Sequence, residues 1–422
     1  MIAGMVLILA VLFAALFSYQ IGRIIKEKSA LTIATDAAAF SVAQEHASVL
    51  NTLAYLNRAH LAHQIALAHL ATMASAEQFR QKQSAQSITQ NPPAAVIAML
   101  FGPQHAAAYV ASNAGNVGSY ALPEKIKQAY RWHDMTVHDL ISKTQLQLIN
   151  SWEKKRNQLF EESLSRNLRH SISSAKLLSL NQLGVSWTVK ADETKSKVLM
   201  HEGEHAEWLS MLDAVVKTQS YLSNRDYSVR NRWVIHPRCP WRRHVLRRKG
   251  STQLTDRGVW KSEDTLSFHA VRSNKWIGCY MREYPMGWSI INSNPGQSMA
   301  NEAPRNFSKE VYWKWRMKRE GSIKSMRSYG DNRLAYSWSI QDSIQLDGRG
   351  QGRYASLHPS IKTEPITIVF NVKRKLAWIP LMLSATTKSE VYFSDPAPSG
   401  AANRLKPSLF MPYWQGRIAG SE

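Results

Sequence analysis

The first hydrophobic segment of the chain is continuous, because residues 2–17 include no charged side chain. A helix that crosses a bilayer needs about 20 mostly apolar residues, and the segment reaches that length when residues 19–22 lie in the interface. A cleaved signal peptide is the alternative, but it normally has basic residues before the apolar run and small residues at the cleavage site. No basic residue precedes this run, and Leu16 and Phe17 do not fit a cleavage pattern. The pattern favours an uncleaved transmembrane anchor over residues 1–22.

The rest of the sequence contains no second apolar run of 18 residues. The best later candidates, residues 95–101 and 376–383, are short and are bounded or broken by proline, which predicts buried core segments. We therefore expect one membrane tether and about 400 residues in water, enough for about two or three domains.

An Ala-rich helical pattern follows the anchor over residues 26–81. Apolar side chains recur there at intervals of seven, at Val42, Val49 and Leu56. Alanine favours helix and permits close helix packing. Such a helix would be about 90 Å long from the membrane edge, and it needs a partner to cover its apolar stripe. We expect Pro92-Pro93 to end it and helices over residues 123–180 and 194–222 to return against it.

After residue 225 the pattern changes to strands and turns. Residues 311–318 alternate apolar with basic or polar side chains, which predicts a half-buried antiparallel strand. Further strands are predicted at residues 227–236, 265–271, 275–281, 334–341 and 366–372. The predicted fold class is α+β: a single N-terminal transmembrane helix continues into a long Ala-rich helix and helical bundle, and a C-terminal antiparallel-sheet domain follows. The predicted domains are an anchor (1–22), a helical stalk and bundle (23–222) and a basic, Trp-rich α+β domain (225–422).

The formal net charge of the chain is +22, and most of the excess lies in the second half. From residue 225 onward there are 33 Lys and Arg against 15 Asp and Glu, together with ten of the fourteen Trp. Such a surface attracts phosphates of nucleic acid, lipid headgroups or acidic envelope polymers. A solvated basic face is an equally good interpretation.

The densest basic cluster lies within residues 236–251. Its candidate polyanion patch consists of Arg242, Arg243, Arg247, Arg248 and Lys249. No recognition-helix or base-stacking pattern surrounds it, so the sequence does not indicate specific nucleic-acid binding. An exposed basic loop is the simpler interpretation.

The string HEGEH at residues 201–205 matches the H-E-x-x-H motif of zinc peptidases. On a helix, His201 and His205 would share one face, and Glu202 would act as general base for a zinc-bound water. Gly203 costs about 1 kcal/mol in a helix interior, and no third ligand follows at a familiar spacing. We therefore expect a solvated, polar start of a helix here, with no zinc and no catalysis, and zinc proteolysis is the alternative.

Four histidines also lie on the predicted long helix, at His46, His60, His63 and His69. No carboxylate cluster accompanies them, so ordinary polar positions on an amphipathic helix explain them better than a metal site. We predict no metal ligand, no cofactor-binding residue and no catalytic residue for this chain.

The segment GRIIKEKSALTIATDAAAFSVA (22–43) resembles the start of TadG-like proteins of the Flp/Tad pilus-assembly systems. A membrane helix, a short basic segment and an Asp-Ala-Ala-Ala motif, here residues 36–39, mark that family. LNTLAYLNRAHLAHQIALAHL (50–70) is similar to the helix found in its Gram-negative branch. RKGSTQLTDRGVWKSEDTLSFHA (248–270) and CYMREYPMGW (279–288) resemble that branch's C-terminal domain. The resemblance covers about a third of the chain.

The resemblance implies a non-enzymatic component of pilus assembly or adhesion, anchored once in the inner membrane with its bulk in the periplasm or at the cell surface. Other assembly or secretion components, anionic envelope polymers and further copies of the chain are the implied partners, and no cofactor is implied. Two departures stand out: relatives carry basic residues before the anchor, and Met5 replaces the Glu of a pilin processing site. A polymerising major pilin is therefore not predicted.

Two alternatives remain open from the residues: a membrane-tethered zinc peptidase that uses HEGEH, and a membrane-anchored nucleic-acid or polyanion binder.

The only cysteines, Cys239 and Cys279, are a candidate disulfide that would close a loop of about 40 residues. This pairing depends on the extracytoplasmic placement that the resemblance implies. A small buried thiol at Cys279 is the alternative.

Overall fold

The computed structural model describes most of the chain in separate ranges. These are residues 2–88, 93–113, 122–171, 180–191, 198–201, 206–222, 224–230, 245–254, 260–274, 278–292, 340–346, 353–357, 365–376, 378–396 and 405–419. Side chains at residues 81–88, 100, 112–113, 122–124, 170–171, 226–230, 245–247, 267–274, 278–290, 292 and 340–345 lie outside the description.

Six α-helices and one π-helical segment are described. They are α1 (Ile2–Ile88), α2 (Ala94–Phe101), α3 (Pro103–Asn113), α4 (Leu122–Arg131), the π segment (Trp132–Val137), α5 (His138–Ser171) and α6 (Ala206–Val216). The predicted helix over residues 26–81 is the central part of α1, which continues the apolar segment without a break.

Eleven strands are described. They are β1 (Val185–Ala191), β2 (Val198–His201), β3 (Arg225–Arg230), β4 (Val245–Leu254), β5 (Trp260–Asn274), β6 (Gly278–Asn292), β7 (Ile340–Gln345), β8 (Tyr354–Leu357), β9 (Ile366–Lys375), β10 (Met382–Phe393) and β11 (Trp414–Ala419). They form a four-stranded sheet in the order β1-β9-β10-β11, a β2-β8 pair, and a five-stranded sheet in the order β3 to β7. All described pairings are antiparallel except β6 with β7.

The chain divides into two compact units, and each combines separated segments. Unit 1 consists of Met1–Ala59, Ile141–His201 and Tyr354–Glu422, and unit 2 consists of His60–Leu140 and Glu202–Arg353. The predicted boundary near residue 225 separates helix-rich from strand-rich sequence, whereas each compact unit contains both. β1, for example, lies inside the predicted helical region and pairs with β9.

The core of unit 1 surrounds residues 31–53 of α1. One cluster joins Leu31, Ala38 and Val42 of α1 to Phe160 of α5 and Phe370 of β9. The two phenyl rings stack with centroids 4.0 Å apart and planes 6° apart. A second cluster joins the following turns of α1 to β8, β9, β10 and β11. The apolar stripe of the helix is therefore buried, but strands as well as a helix cover it.

Unit 2 contains a smaller apolar cluster and a buried ionic network. Phe79 of α1 packs with Ile97 and Phe101 of α2, Tyr109 of α3 and Leu266 of β5. Small residues of α2 and α3 complete this cluster, which explains why short helices with little sequence between them can pack closely.

A tight turn connects α5 to the four-stranded sheet. Gly184 has φ +66°, a left-handed conformation in which a side chain would be strained. A Cβ there would also lie 2.9 Å from the Lys375 carbonyl oxygen, and the Lys375 N–H donates to the Gly184 carbonyl at 2.9 Å. This glycine starts the alternation of β1, in which Val185 is buried and Ser186 is exposed.

The mixed helix and sheet class, with a long apolar N-terminal helix and antiparallel sheets, is confirmed. The predicted helix over 194–222 is confirmed for Ala206–Val216 and wrong for Val198–His201, which form β2 against Tyr354–Leu357. A partner more than 150 residues away determines this strand, so local helix signals misled the prediction. Strands predicted at 265–271 and 366–372 lie in β5 and β9, while 311–318 lies outside the described residues.

Candidate functional site

The first part of α1 presents apolar side chains to the exterior. Leu7 is 67% exposed and Phe13 is 75% exposed, and the neighbouring apolar residues are exposed to a similar degree. Within the described residues, α1 is the one helix long and apolar enough to span a membrane. A surface this apolar is unfavourable in water and needs a bilayer or another apolar partner.

Contacts with the sheet of unit 1 begin one residue after Gly22. The Arg23 guanidinium lies 4.2 Å above the Trp378 ring, in cation–π geometry. Four residues later, Glu27 accepts a hydrogen bond from Arg374 Nη1 at 2.6 Å. Lys28 then donates to the Ser384 carbonyl. The folded part of unit 1 therefore starts where the predicted anchor ends.

The Asp-Ala-Ala-Ala motif lies at the contact of α1 with β10. Asp36 Oδ1 accepts a hydrogen bond from Thr387 Oγ1 at 2.5 Å, and Ala38 and Ala39 are fully buried. Methyl side chains let the helix approach the sheet closely, and the carboxylate fixes its register with a charge-assisted hydrogen bond. The motif that carries the family resemblance is thus used structurally.

Farther along α1, a buried amide cluster ties three parts of unit 1 together. Asn57 Nδ2 donates to the carbonyl oxygens of Ala355 and Leu409, each at 2.7 Å. Its Oδ1 accepts a hydrogen bond from Gln145 Nε2, also at 2.7 Å. Because buried polar atoms are costly when unpaired, this arrangement holds α1, α5, β8 and the segment before β11 in one geometry.

A cavity of about 630 Å³ opens in unit 1. Its walls come from α1, α5, β1 and β2, and its described lining residues are His46, Val49, Leu50, Leu53, Ile149, Trp152, Glu153, Arg156, Val189, Lys190, Ala191 and Val198. Most of this lining is aliphatic, whereas two buried polar side chains, His46 and Arg156, lie within it. Ligand pockets commonly have this size and this mixture.

The electrostatics of the cavity favour a neutral histidine beside a cation. The His46 ring stacks on Trp152 with centroids 4.4 Å apart, and its Nδ1 has no hydrogen-bond partner among the described atoms. Burial and the Arg156 charge lower the pKa of His46 to about 3. Arg156 lies 3.6 Å from Glu153, whose side chain is largely exposed, and burial lowers the Arg156 pKa.

Four histidines meet in unit 2, where α1 passes the π segment. His63 Nδ1 and His133 Nδ1 are 3.1 Å apart, and the His60 and His138 rings have centroids 5.2 Å apart. Burial, with smaller contributions from neighbouring histidines, lowers the pKa of His60 to about 3 and that of His138 to about 4. At neutral pH the His60 and His138 rings are therefore uncharged. Within the described parts of the chain, no group of three or more His, Cys, Asp or Glu side chains is placed to hold a metal ion.

The first histidine of the HEGEH motif does not lie on the helix that zinc-peptidase chemistry requires. His201 is the last residue of β2, opposite Tyr354 of β8, and its ring lies 6.1 Å from that of Tyr354. Glu202 and His205 lie outside the described residues. A shared helical face for His201 and His205 is therefore not formed, since the first histidine belongs to a strand.

The candidate polyanion patch lies partly outside the described residues. Arg242 and Arg243 belong to that part, while Arg247, Arg248 and Lys249 lie on β4. Arg248 donates to the Ala76 carbonyl at 3.2 Å and lies over the Phe79 ring at 5.1 Å. This guanidinium is thus a structural contact within unit 2, whereas polyanion binding by the patch stays a prediction.

Arg248 also belongs to an ionic network that the sequence did not reveal. Asp264 of β5 is 1% exposed and has Arg225 and Arg248 nitrogens each at 3.3 Å. It accepts a hydrogen bond from Ser75 Oγ at 2.6 Å. Arg225 donates to Thr252 Oγ1 at 2.7 Å and Ser262 Oγ at 3.1 Å. The predicted strand began at residue 265, whereas β5 begins at Trp260, so the sequence did not indicate that Asp264 lies in a strand or that it is buried.

The cysteine prediction also lies outside the described side chains. Cys279 is the second residue of β6 and lies opposite Ser273 of β5 in the register, but only its backbone is described. Cys239 lies outside the described residues. Their disulfide stays a prediction.

Comparison of the chain with protein-family models, curated proteins and solved structures finds no match.

Proposed function

We propose that the protein is a membrane-anchored, non-catalytic component of Tad/Flp-type pilus assembly or adhesion in a Gram-negative bacterium. It is held in the inner membrane by one span, with its bulk in the periplasm or at the cell surface. It acts through contacts with other assembly or secretion components, with further copies of itself and with anionic envelope polymers. The Ala-rich part of α1 serves as the stalk.

One observation carries this proposal: the exposed apolar segment and the structural core of unit 1 are parts of a single helix. The same α1 presents Leu7 and Phe13 to the exterior and buries Leu31, Ala38 and Val42. A helix that combines a bilayer-length apolar segment with a folded core holds the unit at a fixed distance from the membrane.

The placement of polar groups supports a structural role. Two deeply buried polar groups, Asp264 in unit 2 and Asn57 in unit 1, join secondary-structure elements to one another. Hydrogen bonds of buried groups that connect separate elements stabilise an architecture. Asp36 of the Asp-Ala-Ala-Ala motif likewise joins two elements, because it accepts a hydrogen bond from Thr387 of β10.

Topology and assembly can be tested together in cells. A reporter that is active only in the periplasm, fused after residue 422, should be active, and the protein should stay in the membrane after alkaline extraction. Deletion of the gene should abolish pili or adhesion, and in vivo crosslinking should capture assembly components. An inactive reporter with an active cytoplasmic counterpart, or normal pili in the deletion strain, would contradict the proposal.

The two alternative functions have separate tests. Stoichiometric zinc that is lost in His201→Ala, together with proteolysis, would favour the zinc peptidase. Salt-dependent binding to DNA that weakens in Arg242→Gln/Arg243→Gln would favour the nucleic-acid binder, because each lost phosphate contact lowers the salt dependence.

A further inference from the structure

The turn between β9 and β10 lies beside the part of α1 that directly follows the predicted anchor. Trp378, in this turn, carries the Arg23 guanidinium on its ring at 4.2 Å. Arg23 follows directly after Gly22, where the predicted span ends. At 1.5 Å rise per residue, the ring is therefore within about one helical turn of the membrane edge.

The side chains of this turn are apolar and uncovered. Leu381 is 37% exposed and Met382 is 60% exposed, and Pro380 next to them is also exposed. The segment 376–383 was predicted to be a buried core segment, and among its described residues Leu376 and Leu383, at the ends, are the ones that are buried. A tip of exposed apolar residues is unfavourable in water.

The backbone of the turn fixes the tip in a closed loop. The Leu376 N–H donates to the Leu381 carbonyl at 3.1 Å, and the Leu381 N–H donates to the Ile379 carbonyl at 2.7 Å. Ile379 and Trp378 pack partly against the core of unit 1. The core of unit 1 and the backbone hydrogen bonds of the turn therefore hold the tip in one position.

Basic side chains surround the tip. Lys373 and Lys375 are exposed on β9, and Lys26 is exposed on α1 close to the membrane edge. Tryptophan prefers the membrane–water interface, and lysines close to it are attracted by anionic headgroups. Charge and apolarity thus fit the same partner, a bilayer that contains anionic lipid.

We propose that the β9–β10 turn is a second membrane contact, which places Trp378, Leu381 and Met382 in the headgroup region beside the anchor. The proposal rests on the membrane anchoring proposed above. A hairpin that contacts the bilayer next to the span prevents the unit from tilting freely about the end of the anchor, so one helix and one turn together define its orientation.

The test uses the full chain in nanodiscs of phosphatidylcholine and phosphatidylglycerol. A benzophenone amino acid is introduced singly at Leu9 in the anchor, at Leu381 in the turn, or at Gln415 on β11. Gln415 is an exposed control, and its partner Tyr392 lies ten residues along β10 from Met382, or about 33 Å. Lipid adducts are then measured by mass spectrometry after irradiation.

Adducts at positions 9 and 381, at least tenfold above position 415, are the expected result. Lys373→Gln/Lys375→Gln should lower the adducts at 381 several-fold without changing those at 9. Adducts at 9 with position 381 no higher than 415 would overturn the turn contact and leave the anchor intact. Adducts at neither 9 nor 381 would overturn the anchor itself, so the two failures are distinguishable.

A second inference rests on the cavity of unit 1 and is independent of the turn. The cavity combines an aliphatic lining with a buried guanidinium, that of Arg156, and an exposed ammonium, that of Lys190. His46 contributes a buried ring nitrogen with no partner among the described atoms. A buried unsatisfied nitrogen is costly, and a ligand that donates or accepts there would recover that cost.

We infer that this cavity binds an aliphatic carboxylate of the fatty-acid class. Its hydrocarbon body would lie against Leu53, Val189 and Val198, and its carboxylate would bind Arg156 with His46 beside it. Arginine suits this role because its planar donors match a carboxylate. The exposed part of Glu153 allows its side chain to turn away when the ligand carboxylate replaces it.

Photolabelling of the full chain tests this inference. The probe is dodecanoic acid with a terminal diazirine, and dodecanol with the same diazirine is the uncharged comparison. The acid should label peptides that contain residues 46–53 and 149–156 at least tenfold more than the alcohol does. Arg156→Met and Val189→Trp should each lower this labelling tenfold, whereas Lys154→Met, an exposed change on the same helix, should not.

Unchanged thermal unfolding of each variant shows that labelling is lost through the site and not through misfolding. Equal labelling by acid and alcohol would overturn the inference, and so would full labelling of both Arg156→Met and Val189→Trp. The comparison of acid with alcohol uses the unmodified chain, so it decides the matter even where a variant fails to fold.

Discussion

Asn51 of α1 and Trp414 of β11 exchange two hydrogen bonds, as neighbouring strands do. Asn51 Nδ2 donates to the Trp414 carbonyl at 3.0 Å, and the Trp414 N–H donates to Asn51 Oδ1 at 2.9 Å. Seven residues earlier, Gln44 Nε2 donates to the Gly416 carbonyl at 3.1 Å. β11 is an edge strand, so amide side chains of a helix satisfy backbone groups that another strand would otherwise pair with.

Replacement of Asn51 should destabilise unit 1 measurably. Asn51→Ala leaves a backbone N–H and a carbonyl of β11 without partners, which costs about 1–3 kcal/mol for each buried group. Urea unfolding of the full chain, monitored by circular dichroism, measures this loss. Thr52→Ala is the matched control, because Thr52 is exposed and bonds only to Ser48 of its own helix. Equal stability of the two variants would show that the amide contact is dispensable.

Gly416 should tolerate no side chain, because β11 touches the backbone of α1 there. An added Cβ would lie 2.5 Å from the Ala43 carbonyl carbon and 2.7 Å from the Gln44 nitrogen. Gly416→Ala must therefore push the strand off the helix, and we expect a loss of about 1–3 kcal/mol, the usual cost of overpacking. Gly22→Ala, with nothing within 4 Å of the added Cβ, should leave the melting temperature unchanged or raise it. Similar melting temperatures for both variants would refute the close approach.

Asp264 should be the most sensitive charged residue of unit 2. Asp264→Asn leaves the buried Arg225 and the half-buried Arg248 without their anion, and the loss of a buried partner costs about 3–5 kcal/mol. Lys261→Gln removes a more exposed ion pair with Glu263 and should cost less than about 1 kcal/mol. Hydrogen exchange of the backbone amides of β4 and β5 measures the loss of stability in Asp264→Asn and in Lys261→Gln. Protection of these strands that persists in Asp264→Asn would contradict the prediction.

Acid should destabilise unit 2 through its buried histidines. Folding lowers the pKa of His60 to about 3 and that of His138 to about 4 from the usual 6.5, so the folded rings stay neutral while unfolded rings bind protons. Their stabilising contribution is complete above pH 6.5 and falls as the pH drops toward 4, by about 1.4 kcal/mol per pH unit for each ring. Urea unfolding at pH 7.5 and pH 5 measures the loss. In His138→Gln the pH dependence should be clearly smaller, and an unchanged dependence would assign it to other groups.

The disulfide between Cys239 and Cys279 is still to be tested. Thiol alkylation of protein from intact cells should label neither cysteine before reduction and both after it, and a bridge over a loop of about 40 residues would stabilise by about 3–4 kcal/mol in the chain-entropy model. Two reactive thiols without reductant would argue against the bridge and weaken the case for an extracytoplasmic placement.

The sequence predicted the long helix and its buried face, because helical periodicity is a local property. Val42 and Leu53 are fully buried as that pattern requires. It predicted one part of what covers the face, because α5 lies in the predicted return helices and packs against α1. It did not predict the strands that cover the rest, since Asn51 meets Trp414 at a separation of 363 residues. β1 was missed although VSWTVKA alternates in period two, because the surrounding helical signals were given more weight.

The candidate sites show the same contrast between features that are local in sequence and features that depend on long-range contacts. Trp378 was assigned to a core segment from its apolar neighbours, and only the contact with Arg23 reveals that it lies beside the anchor. His46 and Arg156 are 110 residues apart, so no spacing indicated that they line one cavity. Local pattern could indicate helices, strands and an anchor, whereas pockets and ion pairs depend on long-range pairing.

The single helix that joins anchor and core also determines how unit 1 carries mechanical load. Its side chains attach to the rest of the unit at successive levels, through Glu27–Arg374, Asp36–Thr387, Asn51–Trp414 and Asn57–Leu409. These levels extend over about 45 Å of helix. A pull along the axis strains all of them at once in shear, whereas a sideways pull opens them one after another. With the membrane anchoring proposed above, such a helix would resist extraction from the unit most strongly along the direction in which the membrane pulls on it.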